Sequence, residues 1–150
     1  MNIRIVLIAM LAFALGLGGL MYYNTVYRWY ERVEDVASVT VQGREIAVSG
    51  YEGIDSETSP LRIRGCFTVD PADFEGLGTS GDATPLIAPD WFDCFDAGQL
   101  TADLETGAAL AYPAEDITPE AERTEDWRIL AYVAVYPDGR AYLWRQRNEF

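Results

Sequence analysis

From Ile5 to Tyr27 the chain runs 23 residues without a charge. At about 1.5 Å per residue this makes roughly 34 Å of helix, enough to cross the ~30 Å hydrocarbon core of a bilayer. Tyr22, Tyr23, Tyr27, Trp29 and Tyr30 gather at its C-terminal end, where the ring faces and polar tips of an aromatic belt settle at the membrane–water boundary. Ala12-Phe13-Ala14 resembles a signal-peptidase site. Cleavage there would shorten the apolar region severely and leave a greasy new N-terminus, so the stretch reads as an anchor. The expected division is residues 1–27 as the transmembrane anchor, 28–36 as a juxtamembrane helix or linker, and 37–150 as a soluble acidic α+β domain. Within the helix, Ala12, Gly16 and Gly19 form a stripe of small residues, a pattern that lets a second helix approach closely.

The chain contains no histidine, and all 11 basic residues are arginine. Imidazole bases, Ser-His and Cys-His pairs and histidine metal or haem ligands are thereby excluded. Without lysine there is also no Schiff base and no P-loop lysine. No cofactor and no metal is expected. The triplet Asp90, Asp93 and Asp96 is spaced too widely for a calcium loop, and Asp96 has a helix to cap.

Two cysteines, Cys66 and Cys94, lie 28 residues apart without a C-x-x-C motif. An even count in an exported domain predicts one disulfide; the alternative is a pair of buried free thiols in a reducing compartment. Loop-entropy arithmetic gives such a bridge about 3–4 kcal/mol. Arg4 on one side of the helix against Arg28 and Arg32 on the other mildly opposes an exported C-terminus. Long domains cross membranes largely regardless of such charges. The cysteines decide the reading: N-terminus inside, domain outside.

In the domain, residues 24–36 read as a continuation of the helix. Val39–Val41 and Ile46–Val48 read as a hairpin turning at Gln42-Gly43-Arg44. Residues 50–60 read as a polar loop, Leu61–Val69 as a strand, 71–76 as a turn, and 76–90 as loop. Asp96 predicts the N-cap of a short helix through Glu105 that stops at Gly107. Ala108–Tyr112 reads as a short strand and 113–126 as acidic loop or loose helix. Trp127–Tyr136 and Ala141–Arg147 read as a hairpin through Pro137-Asp138-Gly139. Apolar residues on both faces of its first strand predict a central position. The expected fold is α+β, with a mostly antiparallel sheet of five or six strands and one or two short helices.

Charge is distributed unevenly. Residues 70–126 hold fifteen acids and one arginine, Arg123, whereas residues 127–150 hold four arginines and two acids. Such a field repels nucleic acid and attracts a basic protein. Asp90, Asp93, Glu115, Asp116, Glu120 and Glu122 are the acids expected to face such a partner. The structural alternative is that the arginines of the C-terminal hairpin neutralise the flank of the acidic segment.

Three stretches, Ser59–Phe67, Ala83–Ala97 and Val133–Trp144, together with the N-terminal anchor, resemble an uncharacterised family of small membrane-anchored proteins from the Rhodobacter group of alphaproteobacteria. The resemblance implies a Gram-negative inner membrane and a periplasmic domain, and it implies no activity. The function expected is that of a non-catalytic accessory or assembly subunit of an inner-membrane complex, respiratory or photosynthetic. Its acidic segment would meet a basic periplasmic protein such as a soluble cytochrome. The alternatives are a small carboxylate-based hydrolase, for which no pair of acids stands out by spacing, and a thiol-redox protein using Cys66 and Cys94.

Overall fold

A computed structural model describes residues 2–118 and 120–149; Met1, Pro119 and Phe150 lie outside the described residues. Helix α1 (Ile3–Tyr23) begins at Asn2, whose side chain accepts from the Arg4 amide at 3.1 Å. It runs into a π-helical turn at Asn24–Arg28. Together Ile3–Arg28 form one helix long and apolar enough to cross a membrane, with a mean hydropathy of 2.3 over its most apolar 18 residues. None of α1 is buried in the protein, so its apolar surface needs a non-aqueous surrounding.

The helix expected to continue to residue 36 stops at Arg28. Residues Glu31–Val33 form strand β1 instead, paired antiparallel with β4 (Ser49–Asp55). Extended chain lets Val33 and Val36 pack against the domain core, whereas a helix here would stand in solvent with nothing to bury. Strands β2 (Ser38–Val41) and β3 (Arg44–Ala47) make the expected hairpin, with Gln42 and Gly43 both at positive φ in its turn.

Strand β4 lies where the sequence suggests a polar loop. Gly50 takes φ +61° and the pairing slips between Ser49 and Glu52, so the strand bulges and its alternation is interrupted. Pro60–Arg62 form a 3₁₀ turn capped by Ser59, which shortens the next strand, β5, to Arg64–Thr68. Helix α2 (Ala97–Thr106) matches its sequence signals: Asp96 accepts from Gln99 N at 3.0 Å, and Gly107 ends it at φ +79°. Strand β6 (Leu110–Asp116) extends beyond the expected Tyr112 into the acidic stretch. It is an edge strand, which is where a residue such as Pro113, lacking an amide proton, is tolerated. Strands β7 (Trp127–Val135) and β8 (Arg140–Glu149) form the C-terminal hairpin.

The six-stranded sheet has the order β1-β4-β5-β8-β7-β6 and is antiparallel throughout. The fold is α+β, as expected, with a second, two-stranded sheet and one short helix in the domain. Strand β7 is covered on both faces, as its pattern predicts, but it lies second from the edge; β5 and β8 are the middle pair. One face of the sheet carries Ile54, Tyr132, Ala134 and Trp144 under Phe92, Phe95 and Leu100. The other carries Phe67, Val133, Val135 and Ala141 under Val41, Ile46 and Phe74. Trp144 and Tyr132 stack at 5.8 Å and are almost wholly excluded from water. Full burial of such a side chain stabilises by about 1.5–3 kcal/mol.

The β7–β8 turn closes with Gly139 N donating to Tyr136 O at 3.0 Å. Gly139 takes φ +93°, and a Cβ there would sit 2.6 Å from the carbonyl oxygen of Val69. Its own carbonyl accepts from Val69 N at 2.8 Å, so neither backbone can retreat without losing a bond. Gly139→Ala is therefore expected to destabilise the protein by about 1–3 kcal/mol. Urea unfolding of the full chain in detergent, followed by tryptophan fluorescence, measures this. An unchanged midpoint would contradict the close approach.

Candidate functional site

The first residue of β5 is an arginine, the one charged residue of the strand. Arg64 is buried, and among the described residues it makes no ion pair. Four backbone carbonyls satisfy it. Nη1 donates to Leu61 O at 2.7 Å and Ile63 O at 2.6 Å, Nε to Leu86 O at 3.0 Å, and Nη2 to Ile87 O at 3.2 Å. Burial pulls its pKa down to about 10, so it remains a cation at neutral pH. The last two bonds fasten the loop 82–96 to the sheet.

Two residues further along β5, on the same face, Cys66 forms the expected disulfide with Cys94. A third fastening comes from β8. Gln146 Oε1 accepts from Thr84 N at 2.6 Å and from Trp144 Nε1 at 3.0 Å, while its Nε2 donates to Asp82 O at 2.9 Å. This polar cluster borders a groove of about 690 Å³, but its side chains are bonded to one another and to the loop. Asp82, Ile87 and Cys94 are thus held at three places along one irregular segment.

Between the last two of these places the loop presents Trp91 to the C-terminal end of the N-terminal helix. Trp91 Nε1 donates to Val26 O at 2.8 Å. Val26 lies in the π-helical turn, where the last carbonyls of a helix lack partners of their own. The Trp91 ring stacks on Tyr27 at 5.8 Å and 21°, and meets Tyr30 edge-on at 5.8 Å. Arg32 lies over Trp91 at 5.2 Å and Arg62 over Tyr30 at 5.5 Å, within range of cation–π attraction. A cleft of about 370 Å³ opens beside this cluster, lined by Tyr22, Val26, Tyr30, Ile87, Pro89 and Trp91 among others. The arrangement is a clamp. It connects the helix to the sheet through side-chain contacts, so their relation is not left to the covalent link alone.

The small residues Ala12, Gly16 and Gly19 are exposed along α1, and a Cβ added at Gly16 or Gly19 would meet nothing within 4 Å. The six selected acids are not brought together. Asp90 and Asp93 are exposed on the clamp loop. Glu115 and Asp116 end β6, and Glu120 and Glu122 follow in a 3₁₀ turn. The strand carrying Glu115 and Asp116 is five strand spacings from β1, which is about 24 Å. The acidic segment therefore offers two separate patches.

Asp116 is also committed internally. Its Oδ1 accepts from Thr118 Oγ1 at 2.6 Å and Thr118 N at 3.0 Å, and Thr118 Oγ1 in turn accepts from Ile129 N at 2.8 Å. Arg123 and Arg128 approach its other oxygen at 3.6 and 3.7 Å. The Arg128 contact brings one arginine of the C-terminal hairpin to one acid of the acidic segment. The Thr118 bonds, with lesser help from the two arginines, hold the Asp116 carboxyl below the usual carboxylate range.

Trp91, Arg64 and Ile87 were not singled out by the sequence. A lone arginine in the run Ile63–Phe67, and a tryptophan three residues before a bridged cysteine, are the signals that point to the first two. Among the described residues no group of three or more acidic or cysteine side chains is arranged to hold a metal ion. The model of a family of unknown function (DUF6446) matches residues 33–150, which takes in β5 and the clamp loop but not the helix they grip. No curated protein and no solved structure matches the chain.

The depressed Asp116 pKa has a consequence for acid stability. A carboxyl whose folded pKa lies below its unfolded value of about 3.9 contributes stability that is present above that value and lost as pH falls through the folded one. Asp116→Asn should flatten the acid limb of the stability curve below about pH 4 while leaving the loop near Thr118 partly bonded. Urea midpoints measured from pH 6 down to pH 2 check this, and an acid limb identical to that of the parent would count against the arrangement.

Proposed function

The chain belongs to this family of unknown function, which lends it no activity, and from its own geometry we propose that it is a non-catalytic, membrane-anchored accessory or assembly subunit of an inner-membrane complex. One observation carries the reading: the domain is clamped to the end of its helix through Trp91, Val26 and Tyr27, while the length of that helix is left bare. A flexible tether would suffice for an enzyme that meets soluble substrate. A clamp has a use where the domain must meet a membrane partner in one orientation. Ala12, Gly16 and Gly19 provide the helix surface for that partner.

The Cys66–Cys94 bond supports a periplasmic domain, because disulfides persist in oxidising compartments. Its place in the clamp favours a structural role over thiol exchange, since reduction would free one of the three fastenings of the loop. A hydrolase built on carboxylates needs one held protonated near neutral pH. Among the described residues the two carboxyls with shifted pKa values, Asp116 and Asp138, are both pushed down by hydrogen bonds, the opposite direction. The exposed acids Asp90 and Asp93 beside the helix, and Glu115, Glu120 and Glu122 at the far edge, suit a basic periplasmic protein such as a soluble cytochrome, with each patch making a separate contact.

The test is recovery of the tagged full-length protein from its native membranes in mild detergent. A stoichiometric inner-membrane partner is expected, and Gly16→Ile should reduce its recovery several-fold while the urea midpoint of the domain stays unchanged. If a basic periplasmic protein binds the acids, raising ionic strength from low to physiological should weaken that second contact steeply. Recovery of the chain alone, or recovery indifferent to Gly16→Ile, would contradict the reading.

A further inference from the structure

Among the described residues, the most exposed large apolar side chain is not in α1. Ile87 is 85 % exposed, above every large apolar residue of α1, the nearest being Phe13 at 71 %. A single exposed isoleucine needs no explanation by itself. This one has an unusual position. Its own carbonyl is held by Arg64 at 3.2 Å, and Trp91, four residues on, is bonded to Val26 at 2.8 Å. The backbone is thus held on both sides of the residue, and Ile87 borders the same cleft as Tyr22, Val26 and Tyr30.

The depth of that cleft follows from the helix. About twenty residues span the hydrocarbon core, so a span beginning at Ile5 ends near Asn24. Val26 is two residues further, about 3 Å along the axis. The loop that grips Val26 therefore lies at the boundary of acyl chains and headgroups, among the tyrosines of the aromatic belt.

We propose that the loop around Ile87 is a second membrane contact, in which Ile87 enters the acyl–headgroup boundary of the outer leaflet beside the helix. Ala88 and Pro89 next to it are uncharged, and Pro89 has no amide proton to be left without a partner there. The guanidinium groups of Arg32 and Arg62, stacked over Trp91 and Tyr30, are placed to meet lipid phosphates. Asp90 and Asp93, exposed on the same loop, oppose a densely anionic surface, so the lipid that fits is zwitterionic or only partly anionic. Two contacts, helix and loop, would fix the tilt of the domain as well as its height. The inference rests on the anchor reading of α1, and the experiment separates the two.

Single cysteines at Leu11, Ile87 and Leu110 are labelled in the full-length protein with an environment-sensitive fluorophore; Cys66 and Cys94 are paired and do not react without reductant. Each protein is reconstituted into nanodiscs of phosphatidylcholine with a minor share of phosphatidylglycerol, with spin-labelled lipids as shallow or deep quenchers. The label at Ile87→Cys should emit at shorter wavelength than that at Leu110→Cys, an exposed position on the far edge strand, and lose intensity to the shallow quencher only. The label at Leu11→Cys should lose intensity to the deep quencher. A label at 87 as solvent-exposed as that at 110, with Leu11→Cys still quenched, overturns the loop contact and leaves the anchor standing. A blue shift at 87 without lipid quenching also overturns it, because protein then covers the loop. Failure at Leu11→Cys overturns both.

Discussion

A guanidinium group buried without a carboxylate joins parts of this chain that the sheet alone would leave separate. Arg64 costs desolvation, seen in its pKa of about 10, and four carbonyls compensate for it. Two of those carbonyls belong to β5 or its approach and two to the loop 82–96, so the charge is satisfied only when the loop lies on the sheet. Removing the guanidinium would leave the Leu86 and Ile87 carbonyls without the partner that ties their loop to the sheet. The disulfide two residues along the strand secures the same loop covalently. Trp91 is aimed at the helix because both of its flanks are fixed.

The sheet explains why this arrangement is stable enough to matter. Strands β5 and β8 are the middle pair, buried on both faces, and they supply all three fastenings: Arg64 and Cys66 from one, Gln146 from the other. The least regular segment of the domain is thereby tied to its most regular part. Opposite, on the far edge, the exposed tail of β6 carries Glu115 and Asp116, and its charge is partly offset by Arg128 from β7. The clamp therefore lies at one side of the sheet and these acids at the other.

Much of the fold was legible locally. Asp96 and Gly107 bracket α2 because capping is decided by the residues at the cap itself. The period-two pattern of Trp127–Tyr136 and the Pro137-Asp138-Gly139 turn give the C-terminal hairpin for a similar reason. Strand β4 was hidden because its alternation is broken by Gly50 and a bulge, and β1 because Glu31-Arg32-Val33 is as compatible with an amphipathic helix as with an edge strand. The tail of β6 was hidden by its acids and Pro113, which only an edge position tolerates. The clamp could not be read at all by period or capping: Trp91 and Val26 are 65 residues apart, and nothing in either neighbourhood specifies the other. The cysteine pair was the exception among long-range contacts, since two cysteines leave one pairing.

The central claim is that the domain is held in one attitude on its helix. Spin labels at Leu20→Cys in α1 and Glu105→Cys in α2, in full-length protein reconstituted into nanodiscs and diluted with unlabelled chains, report that relation directly by pulsed dipolar spectroscopy. The clamp predicts a single narrow distance distribution that broadens when Trp91→Ala removes the bond to Val26 and the stack on Tyr27. A distribution already broad in the parent protein, and unchanged by Trp91→Ala, would mean that the domain swings freely on its anchor and would contradict the account.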